Sequence, residues 1–105
     1  MIKGNHIEVQ LAFNQYQTDP SIENASTLIS AVHKNTAYLV LSTLERGDNL
    51  RARAVEVLGN EDAFIEYLFS ITFALRKMPI EFLVDDKGVQ TIMDELSAME
   101  FGMFT

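Results

Sequence analysis

The stretch Thr36-Ala37-Tyr38-Leu39-Val40-Leu41-Ser42-Thr43-Leu44, with Arg46-Gly47-Asp48-Asn49 and the run Leu50 to Leu58 after it, decides the fold. The first run is rich in β-branched and aromatic residues, which favour strands, and Arg46 to Asn49 is a turn signal. In the second run Arg51, Arg53, Val55 and Val57 alternate with Ala52, Ala54 and Glu56, a period of two. Strand, turn, strand is a hairpin, and composition favours it. Against it, Thr36, Leu39 and Thr43 continue the heptad phase of the residues before them, as in one long helix ending at Gly47.

Upstream, the pattern is helical. Asn5 and Glu8 have capping-box spacing, and Ile7, Leu11, Phe13 and Tyr16 give an apolar side. That helix should stop at Asp19-Pro20, because the residue before a proline is pushed out of helical geometry. Asp19 can then cap a second helix, with Pro20 in its first turn. Ile22, Ala25, Ile29 and Val32 follow at spacings of 3, 4 and 3, which makes one face.

Downstream, Gly59-Asn60 is a second turn, and Ala63, Ile65, Tyr67 and Phe69 alternate as a third strand would. Ser70 is placed to cap a short helix bearing Ile71, Ala74, Leu75 and Met78, which Pro79 ends. Ile80, Phe82 and Val84 read as a fourth strand. Asp85 or Asp86 caps a last helix with Val89, Ile92, Met93, Leu96 and Met99 on one face. The order is ααβββαβα: an α+β fold, with helices packed on an antiparallel sheet. The alternative is an all-α helical bundle, in which the second helix absorbs 36–44 and residues 61–77 form one amphipathic helix.

The chain has 105 residues and no linker, repeat or low-complexity stretch, so 1–105 reads as a single domain. Zero cysteines exclude a disulfide framework, a thiolate metal site and a cysteine nucleophile. A net charge of −7 argues against binding to a phosphate backbone, so nucleic acid is not an expected partner. No apolar run is long enough for a membrane span, and residues 1–10 lack the apolar centre of a signal peptide. The expected location is cytoplasmic.

Several phrases carry a family likeness. Asp19-Pro20-Ser21-Ile22-Glu23-Asn24, the run Ala37 to Leu41 and Leu68-Phe69-Ser70-Ile71 resemble segments of the N-terminal domain of the SseB, or enhanced serine sensitivity, family. That family's Phe-Thr-Ser element lacks its threonine here. Glu66-Tyr67 stands in place of an aliphatic-Pro step, and the Asn-Pro continuation beyond Phe104 is missing. The resemblance implies an α+β interaction module of bacterial or phage origin, with no catalytic residues to carry over.

Chemistry-bearing patterns are sparse. His6 and His33 lie in predicted helices without a metal ligand at i±4, no Gly-rich phosphate loop exists, and no nucleophile elbow is present. No catalytic, cofactor-binding or metal residue is therefore assigned. Arg51 and Arg53 would share a strand face and hold an anion, or simply charge an edge strand. Arg46-Gly47-Asp48 reads as a turn. The acidic excess falls late, in Glu81, Asp85, Asp86, Asp94, Glu95 and Glu100, opposed by Lys87 alone. Asp85 and Asp86 fit helix capping better than a calcium loop, which needs ligands at alternating positions.

Asp85, Asp86, Asp94 and Glu95 read as an acidic binding patch or as a solvated helix face, and the apolar tail residues Phe101, Met103 and Phe104 as a cover for the domain's own core or a homodimer interface. The function these features favour is a non-enzymatic protein–protein interaction module with an unidentified protein partner. The alternative is a small acidic inhibitor, of the toxin-immunity or phage anti-defence kind, that blocks a basic site on its target.

Overall fold

Where the hairpin was expected, the chain is helical. A computed structural model describes residues 6–102, with the backbone alone at His6. Among these residues lie α1 (His6–Thr18), α2 (Ile22–Ser42), α3 (Gly47–Leu58), α4 (Glu61–Leu68), a 3-10 turn (Pro79–Phe82) and α5 (Asp86–Glu100), with no strand. The α+β fold with an antiparallel sheet is overturned, and the all-α alternative is correct in kind. It errs in one place: 61–77 is not one helix, since α4 stops at Leu68 and 69–78 is irregular.

Each missed strand has a physical reason. In α2, burial of Ala37 and Leu41 against the core outweighs the strand preference of their neighbours. In α3, Leu50 and Ala54, both fully buried, stand one turn apart with half-buried Val57 and Leu58 beyond them. Alternation through Arg51 and Arg53 masked that face. In α4, Asn60 is a cap as well as a turn residue: its Oδ1 accepts from the Ala63 N–H at 2.8 Å. Glu61 and Asp62 favour the positive end of the same helix. Of the expected strand 80–84, residues 80–82 are held in a 3-10 turn by Pro79 and by Glu81, whose Oε2 accepts from the Met78 N–H at 3.0 Å, and 83–84 form a turn.

The Asp19-Pro20 break holds, shifted by two residues. Ser21, not Asp19, is the N-cap of α2, and its Oγ accepts from the Asn24 N–H at 3.1 Å. Asn5, the proposed cap of α1, lies outside the described residues. The helix expected from Ser70 does not form. A turn replaces it, closed by the Arg76 N–H on the Thr72 carbonyl at 2.8 Å, with Arg76 in the left-handed region at φ 58°.

Two parts result. Helices α3, α4 and α5, with the 3-10 turn and the C-terminal half of α2, enclose one core: Leu41, Leu50, Phe64, Leu68, Ile92 and Leu96 are almost wholly buried. Each such side chain contributes about 1.5–3 kcal/mol. Two glycines let backbones touch there. A Cβ on Gly88 would stand 1.5 Å from the Phe82 carbonyl oxygen, and one on Gly47 would stand 2.1 Å from that of Leu41. The second part is the α1–α2 hairpin. It stretches the molecule to 45 × 31 × 22 Å, with a radius of gyration of 14.8 Å. A compact chain of this length would have about 13 Å.

Candidate functional site: the outward face of the second helix

Helix α2 has three sides. One meets α1, and Ala31 of α2 and Ala12 of α1 are both buried. Polar contacts hold this side: the Asn24 side chain donates to the Asp19 carbonyl at 2.8 Å, and Lys34 lies 3.9 Å from Glu8. A second side meets the core through Ala37 and Leu41, and His33 stacks on Phe69 with ring centroids 4.1 Å apart. The third side is left uncovered by the described helices. It carries Ile22 (89 % exposed), Ile29 (55 %), Val32 (42 %) and Leu39 (43 %).

These four belong to the face that the 3-4-3 spacing picked out, with Ala25, Thr36 and Thr43 completing the heptad phase. The sequence pattern identified the stripe as one helical face, and the structure turns that face outward. The α1 packing uses other residues. Ala12 and Ala31 are buried there, and of the large apolar side chains Val9, Tyr16 and Leu28 are half-buried. On α1, too, Ile7, Leu11 and Phe13 stay exposed.

On the opposite flank of the hairpin, α1, α2 and α4 border an open trough of about 730 Å³, lined by Glu8, Gln15, Lys34, Asp62, Glu66 and others, with His33 at its wall. Among the described residues no cluster of His, Asp and Glu could hold a metal ion. His33 is engaged by Phe69.

The sequence-derived site residues do not assemble into one patch. Asp85 is the N-cap of α5, its Oδ1 accepting from the Gly88 N–H at 2.8 Å. Asp86 is exposed in the first turn, and Asp94 is exposed and accepts from the Gln90 side chain at 2.8 Å. Glu95 is a correction: it is only 6 % exposed and belongs to the interior, not to an acidic surface. The Tyr67 hydroxyl donates to its Oε1, and the Thr72 hydroxyl approaches its Oε2 at 3.4 Å. Burial, then the hydrogen bond and the charge of Glu95, push the Tyr67 phenol well above its ordinary range. This polar cluster ties α4, the 69–78 segment and α5 together.

Phe101, at the C-cap of α5, is 73 % exposed. Met103 and Phe104 lie outside the described residues.

Arg51 and Arg53 also separate, because two residues along a helix is about 200° of rotation. Arg51 bonds Glu61 at 2.6 Å and lies over the Tyr38 ring. Arg53 grips both oxygens of Glu100, at 2.9 and 2.7 Å, and reaches Glu56 at 3.1 Å. Hydrogen bonds from Arg53 hold the Glu100 carboxyl below the usual carboxylate range. Both guanidinium groups are thus occupied internally, which leaves no paired anion clamp.

No helix among the described residues is long and apolar enough to cross a membrane. No family model, curated protein or solved structure matches the chain.

Proposed function

We propose that the protein is a non-enzymatic interaction module and that the outward face of α2 is its docking surface. The observation carrying this reading is the stripe Ile22, Ile29, Val32 and Leu39, large and apolar yet uncovered by the chain's own helices. A contiguous exposed apolar face marks a contact surface in a folded protein. The scarcity of free catalytic groups, with the arginines and His33 engaged internally, supports binding over chemistry. The cysteine-free composition supports a cytoplasmic setting, and the SseB-like phrases agree with an interaction role.

The test is capture of a partner by the immobilised chain, compared with Ile29→Glu and Val32→Glu. Loss of capture in both variants, with helical circular dichroism retained, is the expected result; capture unaffected by either would place the contact elsewhere. The acidic-inhibitor reading rests on Asp86 and Asp94, both exposed on α5. It predicts that capture weakens with added salt and with Asp86→Asn/Asp94→Asn, and that the α2 variants have no effect.

A further inference from the structure

From the spacing of its exposed Ile22, Ile29, Val32 and Leu39, with half-buried Ala25 and Thr36 between them, we infer that the α2 face receives a second copy of the same helix, in antiparallel register, making the protein a weak homodimer; this rests on the docking surface proposed above. The first ground is periodicity. Ile22, Ala25, Ile29, Val32, Thr36 and Leu39 follow a strict 3-4-3-4-3 spacing, the first and fourth positions of successive heptads, which is the seam one helix offers another. A partner binding through a loop or a sheet edge has no need of that spacing.

The second ground is complementarity to itself. In an antiparallel helix pair, first-position residues of one copy oppose fourth-position residues of the other. Centred between Ile29 and Val32, this register sets Ile22 against Leu39, Ala25 against Thr36 and Ile29 against Val32. Large meets large and small meets small in every layer, a match the stripe makes with its own reverse. From Ile22 to Leu39 the seam runs about 26 Å.

The third ground is charge. Two copies of a chain with net charge −7 repel, and the acidic excess lies in the helices after α2. Glu23 and Lys34 are the only charged residues in α2, and neither falls on the seam; Lys34 faces Glu8 of α1. The seam therefore sets no charged residues of α2 against each other. The antiparallel arrangement also sends the two acidic bodies to opposite ends. The exposed area of the four large residues is roughly 400 Å² per copy, against about 800 Å² per partner in a standard interface, which sets the dimer at the weak, reversible end.

Because the chain has no cysteine, single introduced thiols report the register directly. Equal amounts of Ile29→Cys and Val32→Cys, one carrying a mass tag, are mixed and mildly oxidised, with Asp48→Cys as an exposed control. The mixed 29–32 disulfide should exceed both self-linked species several-fold. Sedimentation of the unaltered chain at about 200 µM should show mass rising towards twice 11.8 kDa. Ile29→Glu should stay at monomer mass with an unchanged helical spectrum.

Monomer mass throughout, with cross-linking no greater than the control, overturns the inference. Self-linked species in excess overturn the antiparallel register. If the chain stays monomeric but captures another protein through a face that Ile29→Glu disables, the second copy is wrong while the interaction module stands. If it neither associates nor captures, both fall.

Discussion

Ile29 and Ile92 have the same side chain and sit on equally regular helical faces, yet Ile29 is 55 % exposed and Ile92 is not exposed at all. The difference belongs to the regions around them. In the body, α3 offers one face to α4 and another to α5, so the large apolar residues on those facing sides are buried, while Ile71, Phe73 and Val84 in the segments between helices stay exposed. In the hairpin, α1 is joined to α2 by the Asp19-Pro20 break, and the pair buries Ala12 and Ala31 while Ile7, Leu11, Ile22 and Ile29 are left exposed. A heptad pattern states that a face seeks a helical partner. It does not state whether that partner lies in the same chain.

The largest effect that would sharpen this contrast lies in the body. Phe64 is fully buried at the centre of the core. Phe64→Ala should cost about 3–5 kcal/mol in urea denaturation, since lost transfer energy and the residual cavity add. A cost below ~1 kcal/mol would mean that the body is no better packed than the hairpin, and the contrast would fail.

An intermediate effect is expected at the polar cluster. Tyr67→Phe leaves the buried Glu95 without its phenolic donor and should cost about 1–3 kcal/mol at neutral pH. The same tyrosine gives the body an alkaline limit. Its folded pKa lies above the ordinary 10.0, so the stability tied to its neutral form is complete below pH 10 and falls as pH rises further. Melting temperature should decline from pH 10 upward, and the decline should be shallower in Tyr67→Phe. Parallel declines in the two proteins would assign the alkaline loss to other groups.

Much of the hairpin was legible in the sequence: the Asp19-Pro20 break, the two helices beside it and the apolar stripe of α2 all follow from local signals. So does α5, capped by Asp85 and apolar along Val89, Ile92, Leu96. The middle of the chain was not. There the core positions include the small Ala37 and Ala54, which carry almost no hydropathy contrast, while Arg51 and Arg53 imitate an edge strand by alternation. Their ion pairs with Glu61 and Glu100 depend on helices 10 and 47 residues away, which no local pattern contains. Glu95 is the converse: a carboxylate in an acidic run reads as surface until Tyr67 is brought against it. The stripe itself was visible by spacing, but its exposure was not, because exposure depends on how the other helices pack.

The smallest expected effect tests the central claim, that the α2 stripe stands outside the fold of the single chain. Ile29→Glu and Ile92→Glu are compared by urea denaturation at ~1 µM, where a weak dimer is dissociated and adds nothing to apparent stability. Ile29→Glu should lie within about 0.5 kcal/mol of the unaltered chain, as exposed substitutions do, whereas Ile92→Glu should fail to fold. A loss of ~3 kcal/mol or more in Ile29→Glu would show that the stripe is buried within the monomer, and would contradict both the outward face of α2 and the function proposed for it.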